Sequence, residues 1–422
     1  MKSKRALAQR VSVGVVDQLL SSGSNFLATL IGAHYLSAQD FGAFSVAMLS
    51  YMVTLGLTRG LCAEALLVRP GATPAEQHRR ASLATAAAAY LGAGAGAVFA
   101  LSSLFAHGPL RPCLVIIGVT LPALLVQDVL RYAAFSRGRP QAALISDGFW
   151  TVAGVASYVV LLRLTDGSPV LLLLAWTVTG IIGGFLQAWR DRVVPALSHG
   201  VGWIIENRDL SFRYALENLS GQGAGQVATY SLVAIAGTAA VGAVRGAQTL
   251  FGPMNIVLSG TNIVLVPEGR RAYERSPRTL AMMSLLASGL FTVVGMAMLA
   301  ILLLVGPDQG ARLLGPTWLN ARQVIFPIGL AAIAGGALAG ATAGLRSLSA
   351  AKELLRIRLL TLPTTLLVPI TCGVLWNVRG LAFGIAASVW WNVLLYWHVF
   401  WKVLHRENPP HPMEGVDPDH AT

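Results

Sequence analysis

Charge is what this sequence lacks. Only 12% of its 422 residues are Asp, Glu, Lys or Arg, while 55% are hydrophobic and the mean hydropathy is +0.62. A soluble domain could not bury that much apolar surface, so the chain reads as a polytopic membrane protein. Cysteine is scarce as well. Cys62, Cys113 and Cys372 stand alone in or beside apolar stretches, a spacing that supports neither disulfides nor a metal site. The histidines supply no zinc spacing either: His34, His78, His107, His199 and His398 are isolated. His405, His411 and His420 belong to a Pro- and acid-containing tail that reads as disordered.

What the chain does have is apolar runs of roughly 20 residues, the length of a membrane span. They lie near 11–34, 43–67, 81–105, 112–134, 146–164, 169–189, 212–236, 242–266, 279–305, 322–345, 356–376 and 380–402. The expected fold class is all-α, with about 12 transmembrane helices in two six-helix bundles. Basic residues collect on one side of the short connections: Lys2, Lys4, Arg5 and Arg10; Arg69, Arg79 and Arg80; Arg131, Arg137 and Arg139; Arg190, Arg192, Arg208 and Arg213; Arg270, Arg271, Arg275 and Arg278; Arg346, Lys352, Arg356 and Arg358; Lys402 and Arg406. The other side has Arg111, Arg163, Arg312 and Arg379. By the positive-inside rule both termini are cytoplasmic. The same scatter accounts for the net charge of +12 without nucleic acid, since no basic face with interleaved aromatics is visible. The first apolar run is too long for a signal peptide, contains Asp17 and is expected to be retained.

Sliding the chain on itself by 200 positions brings Gly42-Ala43 onto Gly242-Ala243, Ala47 onto Ala247 and Gly60 onto Gly260. Six spans per half make this a parallel repeat. The expected divisions are a cytoplasmic N-terminus (1–10), a first bundle (11–190), a cytoplasmic linker (191–211), a second bundle (212–403) and a tail (404–422). Gly92 and Gly96, Gly180 and Gly184, and Gly336, Gly340 and Gly344 mark close helix contacts. The Gly92 to Gly96 run is no dinucleotide loop, because no strand precedes it. Pro122, Pro253, Pro327, Pro363 and Pro369 predict kinks within spans.

Acids within apolar runs are the strongest functional signal. A carboxylate at the centre of a span costs on the order of 3 kcal/mol on insertion scales, so one that remains there is expected to face a partner or a cavity. Asp17 and Glu217 occupy equivalent places in the two halves. A polar stripe accompanies each: Ser21, Ser24 and Asn25 with Asp17; Asn218, Gly221, Gln222, Gly225 and Gln226 with Glu217. Such a stripe can bond sugar hydroxyls or neighbouring helices. Arg59 lies at about the depth of Asp17 and is its expected partner, structural or functional. The equivalent of Arg59 is Ser259, so Glu217 has only Arg213, one turn away, and is the expected titrating acid.

The segment Gln127-Asp128-Val129-Leu130-Arg131-Tyr132-Ala133-Ala134-Phe135-Ser136-Arg137-Gly138-Arg139-Pro140, continuing through Asp147-Gly148-Phe149-Trp150, resembles the fourth-to-fifth helix connection of bacterial polysaccharide-biosynthesis membrane proteins. These are oligosaccharide flippases of the multidrug/oligosaccharidyl-lipid/polysaccharide (MOP) exporter superfamily, O-antigen flippases among them. The opening, Asp17 through Asn25-Phe26 to Leu36-Ser37-Ala38-Gln39-Asp40-Phe41-Gly42-Ala43-Phe44, is similar to the same group. The resemblance implies two bundles forming a V and alternating access of a polyprenyl-pyrophosphate-linked oligosaccharide across the cytoplasmic membrane. It further implies membrane lipids and polysaccharide assembly enzymes as partners. Arg59, Arg131 and Arg245 are the candidates for the diphosphate, Arg131 near the cytoplasmic mouth and Arg245 near the opposite one. Asp128, three residues from Arg131, can pair with it locally.

The alternative is a cation-coupled multidrug exporter of the same superfamily, whose cavity would draw on Asp17, Glu64, Asp128, Asp147 and Glu217. No cofactor is expected, and the same acids leave coupling to H+ or Na+ open. A membrane-embedded polymerase or glycosyltransferase would need a large extracytoplasmic loop with catalytic residues, and every loop on that side is short.

Overall fold

The computed structural model describes residues 23–69, 71–165, 167–219 and 223–406. Residues 23–35 form the described part of α1, followed by α2 (Ala38–Val68), α3 (Pro74–Ser102), α4 (Leu110–Ser136), α5 (Pro140–Leu164) and α6 (Pro169–Asp191). Two short helices, α7 (Gly200–Glu206) and α8 (Arg208–Asn218), lead into α9 (Ala224–Leu250), α10 (Gly252–Arg275) and α11 (Pro277–Leu304). The short α12 (Pro307–Leu314) and α13 (Trp318–Arg322) precede α14 (Ile325–Ser347) and α15 (Ala351–Arg406). The described residues form an all-α, multi-pass fold of two helical halves. Nine of the described helices are long and apolar enough to cross a membrane.

Local chemistry sets the helix starts. Ser37, Thr73 and Ser276 cap α2, α3 and α11, each side chain accepting a backbone N–H three residues on. Proline occupies the first turn of α3, α5, α6 and α11, where its missing N–H costs nothing. The backbone breaks are not where proline predicts them. Pro122, Pro363 and Pro369 lie inside helices, Pro253 opens α10, and Pro327 sits in the first turn of α14. The non-helical backbone within described helices falls instead at Gly237 in α9 and at Trp376 and Asn377 in α15. Gly237 has φ 78°, which only glycine adopts freely, and it is the turn between two spans. Internal prolines are accommodated by glycines opposite: Gly92 packs on the Pro122 backbone and Gly384 on that of Pro369.

The halves meet along α2 and α9, and one apolar cluster runs from the first half across this contact. The closest approach is symmetric. A Cβ on Gly42 would overlap the Thr238 carbonyl, and one on Gly242 would overlap the Ala38 carbonyl. Gly42 and Gly242, and likewise residues 38 and 238, correspond across the repeat, so the two halves use the same surface against each other. Gly42→Val is therefore expected to lower stability by about 1–3 kcal/mol through overpacking. Gly94→Val, whose added atoms meet open space, should leave the thermal melt of the detergent-purified protein unchanged.

Candidate functional site

Two polar systems lie within the membrane-spanning part. The first is a chain of alternating charges inside the first half. Arg59 donates from Nε and Nη2 to both carboxylate oxygens of Asp128, at 2.9 and 2.7 Å. Arg131 contacts Asp128 at 3.0 Å and Asp147 at 2.9 Å, and Gln127 donates to Asp147 at 3.0 Å. Two cations and two anions thus neutralise one another among buried side chains, and only Arg59 keeps a face, 29% exposed, towards open space. Arg59 also sits over the Tyr132 ring, 5.8 Å from its centroid.

Arg59 occupies a π-helical turn, Arg59–Ala63, within α2. Such single-turn insertions frequently mark functional positions, because they re-aim the side chains around them. Here the turn is braced from the connection between the halves. Gly60 packs on the Ala215 backbone, Ser211 donates to the Leu61 carbonyl at 2.9 Å, and Trp203 Nε1 donates to the Cys62 carbonyl at 3.0 Å. Outside the spans, Arg69 holds Asp209 of α8 at 2.7 Å, and these hydrogen bonds keep the Asp209 carboxyl below its usual range.

The second system is a cavity of about 460 Å³ between the halves. Its polar lining is Asn25 and Thr29 of α1, with Gln226, Arg245, Gln248 and Thr249 of α9 and Asn255 of α10. Arg245 is the only charged residue on that lining, among the described residues. It bonds Gln248 at 3.3 Å; among the described residues its buried Nε has no partner and no carboxylate lies within ion-pair distance. A guanidinium left with unspent donors among amides is a ready receptor for an anion with hydroxyls around it. A smaller cavity of about 140 Å³ shares Met52 and Gln226 with the first and is lined by Arg59, Glu64, Tyr132 and Asn218. There Glu64 accepts a 2.8 Å hydrogen bond from Asn218 of α8, across the interface of the halves.

Of the residues singled out from sequence, Asn25, Gln226 and Arg245 line the larger cavity, and Arg59, Glu64 and Asn218 the smaller. Arg245 faces the larger cavity, about two helical turns from Gly237. Asp17 and Gln222 lie outside the described residues, as does the Ser259 side chain. The pairing partner of Arg59 is Asp128 of α4, brought to it by the packing of α2 on α4. Asp128 does pair with Arg131, yet it serves both arginines. Asp128 and Asp147 are salt-bridged and almost fully buried, which suits structure rather than exchange. Glu217 is not the uncompensated acid. Its side chain is 50% exposed, and Arg358 of α15, rather than Arg213, pairs with it at 2.9 Å.

Glu64 takes that place, half-buried beside an open space, with an amide as its hydrogen-bond donor. Sequence reasoning missed Gln248, Thr249 and Asn255. The spacing of Arg245, Gln248 and Thr249 puts them on one helix face and could have found the first two.

Searches of known protein families and of curated proteins find no match. Solved structures do match. An inward-facing multidrug resistance MATE family transporter of the MOP superfamily superposes with a TM-score of 0.67 at 13% identity, over 94% of this chain and 95% of that one. The chain has the MOP transporter fold. An outward-facing MATE family transporter of the same superfamily gives 0.56 at 12% identity, over 94% and 96% of the two chains. A MOP superfamily transporter from Pyrococcus furiosus, described as having a binding pocket of reverse polarity that suggests a different function, gives 0.55 at 13% identity over 94% and 96%.

Proposed function

We propose that this MOP-fold chain is an alternating-access transporter that flips a polyprenyl-pyrophosphate-linked oligosaccharide across the cytoplasmic membrane. The observation that carries the reading is Arg245, the one charge among the described residues of a cavity otherwise lined by amides, hydroxyls and apolar groups. A guanidinium fork can hold a diphosphate at two points, the amides of Asn25, Gln226, Gln248 and Asn255 can exchange hydrogen bonds with sugar hydroxyls, and the isoprenoid tail can stay in lipid. A multidrug exporter of organic cations needs carboxylates at this position, and none of the described lining residues is acidic. Proteoliposomes loaded with fluorescent lipid-linked sugar, run beside vesicles loaded with a cationic dye, separate the two. The sugar should cross and the dye should not; efflux of the dye alone would sink the proposal.

Proton coupling, in this reading, falls to Glu64. The charged groups around it are already engaged, Arg59 with Asp128 and Glu217 with Arg358. Glu64 lines the smaller cavity, which shares Met52 and Gln226 as wall residues with the larger one. Glu64→Gln keeps the size and the Asn218 contact but cannot ionise. Its transport rate is expected to lose most of its dependence on pH, measured across a series of buffers. A pH profile identical to that of the wild type would remove Glu64 from the cycle.

A further inference from the structure

A third polar group, outside both cavities, sits where α4, α5 and α6 end on the face assigned to the cytoplasm by the basic loops. Asp191, the last residue of α6, has a fully buried side chain. Arg137 neutralises it at 2.8 Å and donates its Nε to the Ala133 carbonyl. Two more guanidiniums approach the same carboxylate without closing on it, Arg139 at 3.7 Å and Arg190 at 3.8 Å, with side chains 58% and 36% exposed. One anion therefore faces three cations, and the outer two keep most of their donors for something else.

Directly beneath Arg190, a crevice of about 260 Å³ opens between α5 and α6. Ile145, Phe149, Leu186 and Trp189 form its apolar walls, and all four are partly exposed on the lipid-facing side. Gly183 keeps the two helices close, since a Cβ there would press on the Ser146 carbonyl. The crevice also holds an unspent polar atom. Gln187 is 2% exposed and donates to the Leu130 carbonyl at 3.0 Å, while its buried Oε1 accepts no hydrogen bond from any described residue.

We infer that this crevice is a binding site for an anionic phospholipid of the adjoining leaflet, its phosphate held by Arg139 and Arg190 and one acyl chain lying between α5 and α6. Neither half of the site explains the other's chemistry. Surplus guanidiniums alone would take any phosphate, and an apolar crevice alone would take any chain; together they select a molecule with a phosphate joined to a hydrocarbon. The site is separate from the central cavity and does not depend on what that cavity transports.

The test is native mass spectrometry of the full chain, delipidated and titrated with 1-palmitoyl-2-oleoyl-phosphatidylglycerol or with the matching phosphatidylcholine. The wild type is expected to retain phosphatidylglycerol in preference to phosphatidylcholine. Each arginine near a membrane surface contributes about a fivefold factor, so Arg139→Gln with Arg190→Gln should weaken phosphatidylglycerol binding roughly 25-fold. Ile145→Trp, a change at an exposed position that fills the crevice, should weaken it while leaving both arginines in place, and it carries the test if the double variant does not fold. Equal binding of the two lipids, or an unchanged affinity in the variants, overturns the site. Displacement of phosphatidylglycerol by inorganic phosphate also overturns it, because the arginines would then be a site for free anions. None of these outcomes bears on Arg245.

Discussion

Asp128→Asn is expected to unfold much of the protein or to cost it about 3–5 kcal/mol, the penalty for removing one partner from a buried ionic group. Asp128 is the hinge of the charge chain, since it holds Arg59 through two oxygens and Arg131 through one of them. With the carboxylate gone, Arg131 retains Asp147, and Arg59 retains only the face of Tyr132 among these groups. Arg59→Gln should be milder, because Arg59 is partly exposed and its loss leaves Asp128 still paired to Arg131. A thermal melt of each detergent-purified variant, with the yield of monodisperse protein, measures the order. If Asp128→Asn melts with the wild type, the chain of charges does not hold the first half together.

Loss of transport in Arg245→Gln is the second large effect. The substitution keeps an amide in the cavity and removes its only described charge, so folding should survive and the anion should lose its receptor. A hydrogen bond to a charged group contributes about 1.5–3 kcal/mol, so apparent affinity should fall by one to two orders of magnitude. Arg245→Lys should recover part of it, because an ammonium keeps the charge but not the planar fork. Initial rates over a range of lipid-linked sugar concentrations distinguish weaker binding, which raises the half-saturation concentration, from a slower cycle, which lowers the ceiling.

Much of the architecture was legible in the sequence because hydropathy and loop charge are properties of short segments. The spans and the parallel repeat follow from local composition or from the 200-residue offset, whereas the contact of the halves at Gly42 and Gly242, positions the offset had aligned, is a fact of packing. Helix starts were missed by several residues where proline opens a span, as at Pro74 and Pro140, although proline at the first helical position is itself a start signal. The charge partners were harder. Arg59 was read against Asp17 by depth alone; Asp17 lies outside the described residues, and the partner that depth could not supply is Asp128, which α4 presents to the π turn of α2. Glu217 looked uncompensated because its partner, Arg358, is 141 residues away and reaches it only through the packing of the second half. Glu64, by contrast, drew little notice beside the symmetric pair of acids. What distinguishes it is the set of cations already committed elsewhere, and that is a fact of packing.

The central claim is that Arg245 receives an anionic headgroup in the cavity between the halves. Titration of a fluorescent isoprenyl-diphosphate sugar into nanodisc-held wild type and Arg245→Gln tests it without any need for turnover. Saturable binding that weakens at least tenfold in the variant, while an organic cation of similar size binds neither protein, is the predicted result. Equal affinity of the diphosphate sugar for both proteins would contradict it, and so would cation binding that gains from the loss of Arg245.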